Sequence, residues 1–202
     1  MQTILYALGF GILGYLCGSL PFAVWITRLV KGVDVRAAGS GHATATNTIR
    51  QAGFLPGAVV FVLDVSKGFG PTWLALHFAP AGWMAALTAV LAVIGHCWPL
   101  FAGFRGGMGL ATANGGMTAA FLPAILLGYA LLGLLTLILR HSARASVASG
   151  LLFAPLLWVI GLRGTVLEIT AAVGIVVALR FTIDWNRKYR EVWLDREKKD
   201  SR

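Results

Sequence analysis

The sequence predicts an all-α, polytopic membrane helix bundle of about seven transmembrane helices, with the N-terminus outside and the C-terminus cytoplasmic. Three observations predict it. Of 202 residues, 57% are hydrophobic and only 12% charged, whereas a soluble domain has roughly 45–50% apolar and about 25% charged residues. The apolar residues gather into runs near the length of about 20 that crosses a bilayer. The cations sit mostly between those runs and bring the formal net charge to +9. In hydrocarbon every backbone polar group must be satisfied within its own segment, which selects helices, and the alternating pattern of a membrane barrel is absent.

Spans are expected at residues 3–30, 55–78, 82–99, 108–120, 122–139, 146–162 and 164–183. The first has no basic n-region and is longer than the apolar core of a signal peptide, so it is expected to be retained as a span. The second carries Asp64 and Lys67 at membrane depth. The fourth is the shortest, about 20 Å at 1.5 Å per residue, and joining it to the fifth gives an alternative of six spans. The basic residues decide between the two. Arg28, Lys31, Arg36 and Arg50 follow the first span, Arg105 the third, Arg140 and Arg144 the fifth, and seven further cations lie in the tail. Seven spans put all these groups on one side and leave Arg163 on the other, as the positive-inside rule requires; six would split them. Three polar segments, 31–54, 100–116 and 184–202, then share the cytoplasmic side. No linker divides the chain, so residues 1–202 read as one membrane domain with a basic tail from 184.

Several function classes drop out. The cations sit at helix ends and in the tail as membrane topology requires, so no nucleic-acid partner is expected. Cys17 and Cys97 are too few for a disulfide framework. No metal-ligand cluster, serine-hydrolase order or nucleotide fingerprint is visible, so neither metal nor cofactor is expected.

Three constellations carry chemistry. Residues 38–50 pack Gly39, Ser40, Gly41, Thr44, Thr46, Asn47, Thr48 and Arg50 into thirteen positions. Glycines let backbone N–H groups approach an anion, and hydroxyls with a guanidinium fork suit phosphate oxygens. The bland alternative is a loop whose Thr and Asn cap the next helix. Residues 95–112 place His96, Arg105, Gly106, Gly107 and Gly109 before a helix, a ready anion site, although glycines also serve close helix packing. His96 is either a general base or a hydrogen-bonded structural histidine. Asp64 and Lys67, three apart on one helical face, read as an internal ion pair, whether orienting a site or purely structural. The aromatic and basic stretch around Asp184, Trp185 and Arg187 reads as an interfacial anchor on membrane lipid.

These motifs resemble those of the PlsY family of acyl-phosphate:glycerol-3-phosphate acyltransferases. Residues 18–22 match Gly-Ser-x-Pro-Phe, and residues 39–50 match Gly-Ser-Gly-Asn-Pro-Gly-Ala-Thr-Asn-x-x-Arg. Residues 64–68 match Asp-x-x-Lys-Gly. Residues 95–112 match Gly-His-x-x-Pro-x-Phe-x-x-Phe-Lys-Gly-Gly-Lys-Gly-x-Ala-Thr, and residues 146–149, beginning at Ser146, resemble Ser-Leu-Ala-Ser. The resemblance implies a bundle of seven spans in the bacterial inner (cytoplasmic) membrane, with acyl phosphate and glycerol 3-phosphate as substrates and with no metal or cofactor. It implies Ser40 and Arg50 on phosphate oxygens, backbone donors at Gly106, Gly107 and Gly109, added charge at Arg105, and further substrate contacts at Gly39, Gly41, Thr46, Asn47, Ser146, Asp184 and Arg187. His96 or the substrate's own phosphate would be the base, and Asp64 and Lys67 would be supports.

The departures are specific. Where the family has Asn-Pro-Gly this chain has His42-Ala43-Thr44. The lysine of Gly-Gly-Lys-Gly is Met108. The last motif, His-x-x-Asn-Ile-x-Arg, reads with Phe181, Asp184 and Arg187. Two readings outside catalysis therefore stay open beside the acyltransferase: a non-catalytic anion-binding or regulatory membrane protein, and a small transporter of an organic phosphate.

Overall fold

A computed structural model describes residues 1–186; Arg187 and the tail beyond it, expected above to carry site and anchor residues, lie outside the described residues. The fold is all-helical. The expected first span is a helix in two parts, α1 (Gln2–Gly18) and α2 (Phe22–Lys31), which together form one membrane-length segment. The break falls at Pro21, which has no N–H to continue the ladder. Beside it the Leu20 carbonyl accepts from the Phe22 N–H at 3.1 Å and from Lys67 Nζ at 2.9 Å.

A short helix, α3 (Ala45–Ala52), follows. The Thr44 hydroxyl caps it by accepting from the Asn47 N–H at 3.2 Å. Gly53, at φ +100°, then turns the chain into α4 (Phe54–Phe78). The bundle is completed by α5 (Trp83–Cys97), α6 (Leu110–Ala120), α7 (Ala124–Leu139), α8 (Ser142–Val159) and α9 (Thr165–Thr182). Among the described residues, five segments are long and apolar enough to cross a membrane: Gln2–Lys31, Phe54–Phe78, Trp83–Ala102, Ser142–Val159 and Thr165–Thr182. Helix α7 is apolar but shorter, at 16 residues.

Helix α6, placed by the sequence at 108–120, has only 11 residues, about 16 Å at 1.5 Å per residue. An irregular glycine-rich loop precedes it and the turn at 121–123 ends it. It sits inside the bundle against α4, α5, α7 and α9, with residues 112–118 buried. Neighbouring helices thus keep residues 112–118 away from lipid.

The outside of the bundle is apolar and much of its inside is not. Leu5, Ile12, Leu126, Leu134, Ile138, Leu152, Val159, Ile175 and Leu179 are exposed, while Asp64, Lys67, Thr72, Thr88, His96, Thr112 and Asn114 are buried. That distribution is adapted to lipid, and the chain is a multi-pass membrane protein. Without a hydrophobic force between helices in lipid, small residues set the close crossings. At the α4–α6 crossing a Cβ on Gly68 would strike the Thr112 carbonyl, and one on Gly115 the Val65 carbonyl.

Candidate active site

A cavity of about 330 Å³ opens where the segment before α3 meets α4, α6, α7 and α8. Its lining is two-sided. Ser40, Thr46, Arg50, Asp64, His96 and Ser146 supply polar groups, while Phe61, Leu110, Tyr129 and Leu132 form an apolar flank.

The 38–50 segment is held by Asn47, which is fully buried. Its amide donates to the carbonyls of Val35, Ala38 and His42 at 2.7, 3.1 and 3.1 Å. Its Oδ1 accepts from the Ser40 N–H at 3.3 Å. Gly39 is required here, because at φ +63° a Cβ would run into that Oδ1. Asn47 therefore shapes the loop and faces none of the cavity.

Arg36, absent from the sequence expectations as a site residue, braces the loop from behind. Its guanidinium pairs with Asp34 at 2.7 Å and donates to the Ala102 and Arg105 carbonyls at 2.7 and 2.9 Å. The hydrogen bonds from Arg36 hold the Asp34 carboxyl well below the ordinary carboxylate range, and the same contact raises the guanidinium. Arg50 is the opposite case. It lines the cavity, and among the described residues it has neither an ion pair nor a side-chain hydrogen bond.

Asp64 and Lys67 form a buried pair at 3.0 Å. Lys67 is completed by the Leu20 carbonyl and by the Phe22 ring, 5.7 Å away. It is thus committed to the α2–α4 junction, while Asp64 reaches the cavity wall. His96 Nδ1 stands 3.6 Å from Asp64 Oδ1, beyond a good hydrogen bond, and has no other partner among the described residues.

Of the three glycines expected as backbone donors, Gly106 and Gly107 turn their N–H groups away from the cavity. They donate to the Cys97 and His96 carbonyls at 3.2 and 3.1 Å, so the loop is stitched to the end of α5 and those donors are consumed. Gly109 alone of the three lines the cavity. The Arg105 side chain is exposed and not part of the lining. Ser146 lines it while its hydroxyl donates to the Ser142 carbonyl at 2.9 Å.

The departures at Met108 and Phe181 both line the cavity and belong to one apolar cluster. His42 also lines it, and its Nε2 meets Asp184 Oδ2 at 2.8 Å. Asp184 lies behind His42, outside the lining. Arg180, which sequence reasoning missed, is buried beside them. A cation inside an apolar span is itself a signal that could have found it.

The chain matches the family described as glycerol-3-phosphate acyltransferase over residues 8–191. It belongs to that family. A relative of this name from Pseudomonas aeruginosa is 40% identical over 171 residues, covering 82% of this chain and 87% of the relative. One from Shouchella clausii is 43% identical over 120 residues, 58% of each chain. This chain thus spans less than two thirds of the length of that relative. Among solved structures, the glycerol 3-phosphate form of PlsY, an integral membrane glycerol 3-phosphate acyltransferase, aligns with a TM-score of 0.78 at 36% identity over 90% of each chain. The lysophosphatidic acid form gives 0.76 at 35%.

Proposed function

We propose that this family member transfers a fatty acyl group from acyl phosphate to the 1-hydroxyl of glycerol 3-phosphate, giving lysophosphatidic acid and inorganic phosphate. The observation that carries this is Arg50: a guanidinium with no counter-ion among the described residues, in a cavity lined also by Ser40 and by apolar side chains. An unpaired cation calls for an anion, and the flank of Phe61, Tyr129 and Leu132 calls for an alkyl chain reaching in from lipid between α4 and α7.

In this reading Ser40 and Arg50 bind the acyl phosphate, with the fork neutralising charge that grows on the carbonyl and the leaving phosphate. The acceptor hydroxyl oxygen attacks the acyl carbon, the bond from that carbon to the phosphate oxygen breaks, and phosphate departs. The hydroxyl proton passes to His96, which stands beside Asp64, or to the departing phosphate; holding both substrates in one cavity supplies much of the rate. Thr46, Gly109 and Ser146 complete the polar wall. No metal, cofactor or nucleic acid enters the scheme.

The chain is further proposed to cross the bacterial inner membrane seven times, with the N-terminus outside and the cavity and tail facing the cytoplasm. The test is a transfer assay on purified protein with palmitoyl phosphate and radiolabelled glycerol 3-phosphate. Labelled lysophosphatidic acid, formed in step with phosphate release, is expected. Phosphate release without label transfer would replace the acceptor, and neither product would end the catalytic reading. Met108 and Phe181 favour keeping an altered acceptor as the second reading, since both put apolar surface where the family carries a lysine and a histidine.

A further inference from the structure

Two of this chain's departures from its family's motifs are far apart in sequence and touch in space. His42 Nε2 lies 2.8 Å from Asp184 Oδ2, across 142 positions of chain. A carboxylate only accepts, so the proton of this bond sits on Nε2. The other ring nitrogen, Nδ1, faces Arg180 Nη2 at 3.4 Å. A guanidinium only donates, so Nδ1 is the acceptor in this contact. Arg180 Nη1 closes the triangle at 3.9 Å from Asp184 Oδ2. The side chains of all three are nearly buried, with 12%, 9% and 10% exposure at His42, Asp184 and Arg180.

The triangle also touches the site through the backbone. The His42 N–H donates to Ser40 Oγ at 3.4 Å, and the Ser40 N–H is itself fixed on Asn47. The ring that Asp184 holds therefore belongs to the residue whose N–H sets the Ser40 hydroxyl. An aspartate near a phosphate site would ordinarily repel the ligand. Here Arg180 offsets its charge and His42 covers it, since His42 lines the cavity and Asp184 does not.

We infer that His42 and Asp184 are a coupled pair of positioning residues, which tie the Ser40 loop to the end of α9 and thereby hold the Ser40 hydroxyl in place for the donor phosphate. The inference rests on the acyl-phosphate reading above and assigns Asp184 a role behind the cavity wall. The two departures thus form one joint change linking two motifs.

A double-mutant cycle on the full-length protein in detergent tests it, read by kcat/KM for palmitoyl phosphate and by melting temperature. His42→Ala and Asp184→Ala should each lower kcat/KM roughly tenfold, the size expected of one hydrogen-bonded pair. The double variant should be no worse than either single one, and the KM for glycerol 3-phosphate should hold. His42→Gln, whose amide can donate to Asp184 from nearly the place of Nε2, should recover most of the loss; that rescue also carries the test should Asp184→Ala fail to fold. Losses that multiply in the double variant, or a His42→Gln enzyme as poor as His42→Ala, overturn the inference. A wild-type protein without transfer activity overturns the donor reading and the role at Ser40 with it. In that case non-additive melting shifts still establish the coupling of the pair, and additive ones remove that as well.

Discussion

Arg36 and Arg50 show how one side-chain type is divided between architecture and chemistry. Arg36 has a carboxylate and two carbonyls around its guanidinium, which take four of its five N–H donors. Arg50 keeps its donors for the cavity. Arg50→Ala should lower kcat/KM by roughly a hundredfold or more, as loss of one preorganised donor to a developing charge does. Arg50→Lys should recover little of it, because an ammonium lacks the planar fork. Near wild-type turnover by the lysine variant would reduce Arg50 to simple charge attraction. Met108 makes the converse prediction. It is 7% exposed and lines the cavity, so a lysine there would bring a cation to the wall. A charge-assisted hydrogen bond is worth about 1.5–3 kcal/mol, or roughly ten- to a hundredfold in affinity. Met108→Lys should lower the KM for glycerol 3-phosphate by that factor and leave the KM for acyl phosphate nearly alone. An unchanged acceptor KM would mean that the Met108 wall serves a different acceptor. Little of this division is legible in one sequence. The polar, glycine-rich composition of 38–50 is, because it follows from residue types. Whether Asn47 faces a ligand or three carbonyls depends on where the fold puts those carbonyls, and the His42–Asp184 pair spans a separation no local pattern encodes.

At the scale of elements, the spans were legible as apolar runs, with ends within two residues of the helices except at α8, expected at 146–162 and found at Ser142–Val159; the break inside the first was not. The break at Pro21 is hidden because the residues on both sides stay apolar, whereas the short α6 was legible at 108–120 and differs only in its first two residues, which belong to the glycine-rich loop. The crossing of α6 with α4 carries the site, since Gly109, Leu110 and Ala111 at the start of α6 line the cavity while α4 supplies Phe61 and Asp64. Gly115 abuts the Val65 carbonyl with no room for a Cβ. Gly115→Ala should force the two helices apart at a cost of about 1–3 kcal/mol, seen as a lower melting temperature in detergent together with reduced turnover. Gly70, also on α4, has nothing within 4 Å of its would-be Cβ. Gly70→Ala should therefore be neutral or slightly stabilising, by up to about 1 kcal/mol from helix propensity. Equal effects at both glycines would remove close backbone packing as the reason for Gly115.

On the scale of the whole molecule, the cations are sorted between two ends. Arg36 joins the segment after α2 to the loop before α6 through the Ala102 and Arg105 carbonyls. Arg144, at the start of α8, stacks 5.5 Å from the Trp185 ring beyond α9, and His42 reaches Asp184. These contacts gather Arg28, Lys31, Arg36, Arg105, Arg140, Arg144 and Arg180 at the end that holds the cavity. At the other end the turns at 79–82 and 160–164 meet where Gly82 packs on Thr165, and Arg163 is the cation there among the described residues. By the positive-inside rule this sorting supports the proposed orientation, with the cavity toward the cytoplasm. The short α6 leaves this orientation unchanged. A three-residue turn makes α6 and α7 an antiparallel pair, so the chain returns to the cavity end before α8 whether or not α6 emerges on the far side. Cysteine labelling with an impermeant maleimide separates the two questions, in a background carrying Cys17→Ala and Cys97→Ala. Ala37→Cys should react only after cells are permeabilised, and Pro80→Cys should react in intact cells; the reverse pattern would invert the molecule. Leu122→Cys then counts the crossings, since Leu122 is 74% exposed at the α6–α7 turn. Seven crossings place that turn outside, so the cysteine should be labelled in intact cells. The 16 residues of α7 reach only about 24 Å, so the bilayer must thin around this hairpin for the turn to emerge. If Leu122→Cys stays unlabelled from either side while Pro80→Cys reacts, the α6–α7 pair is a re-entrant hairpin held within the bundle, and the number of crossings is five.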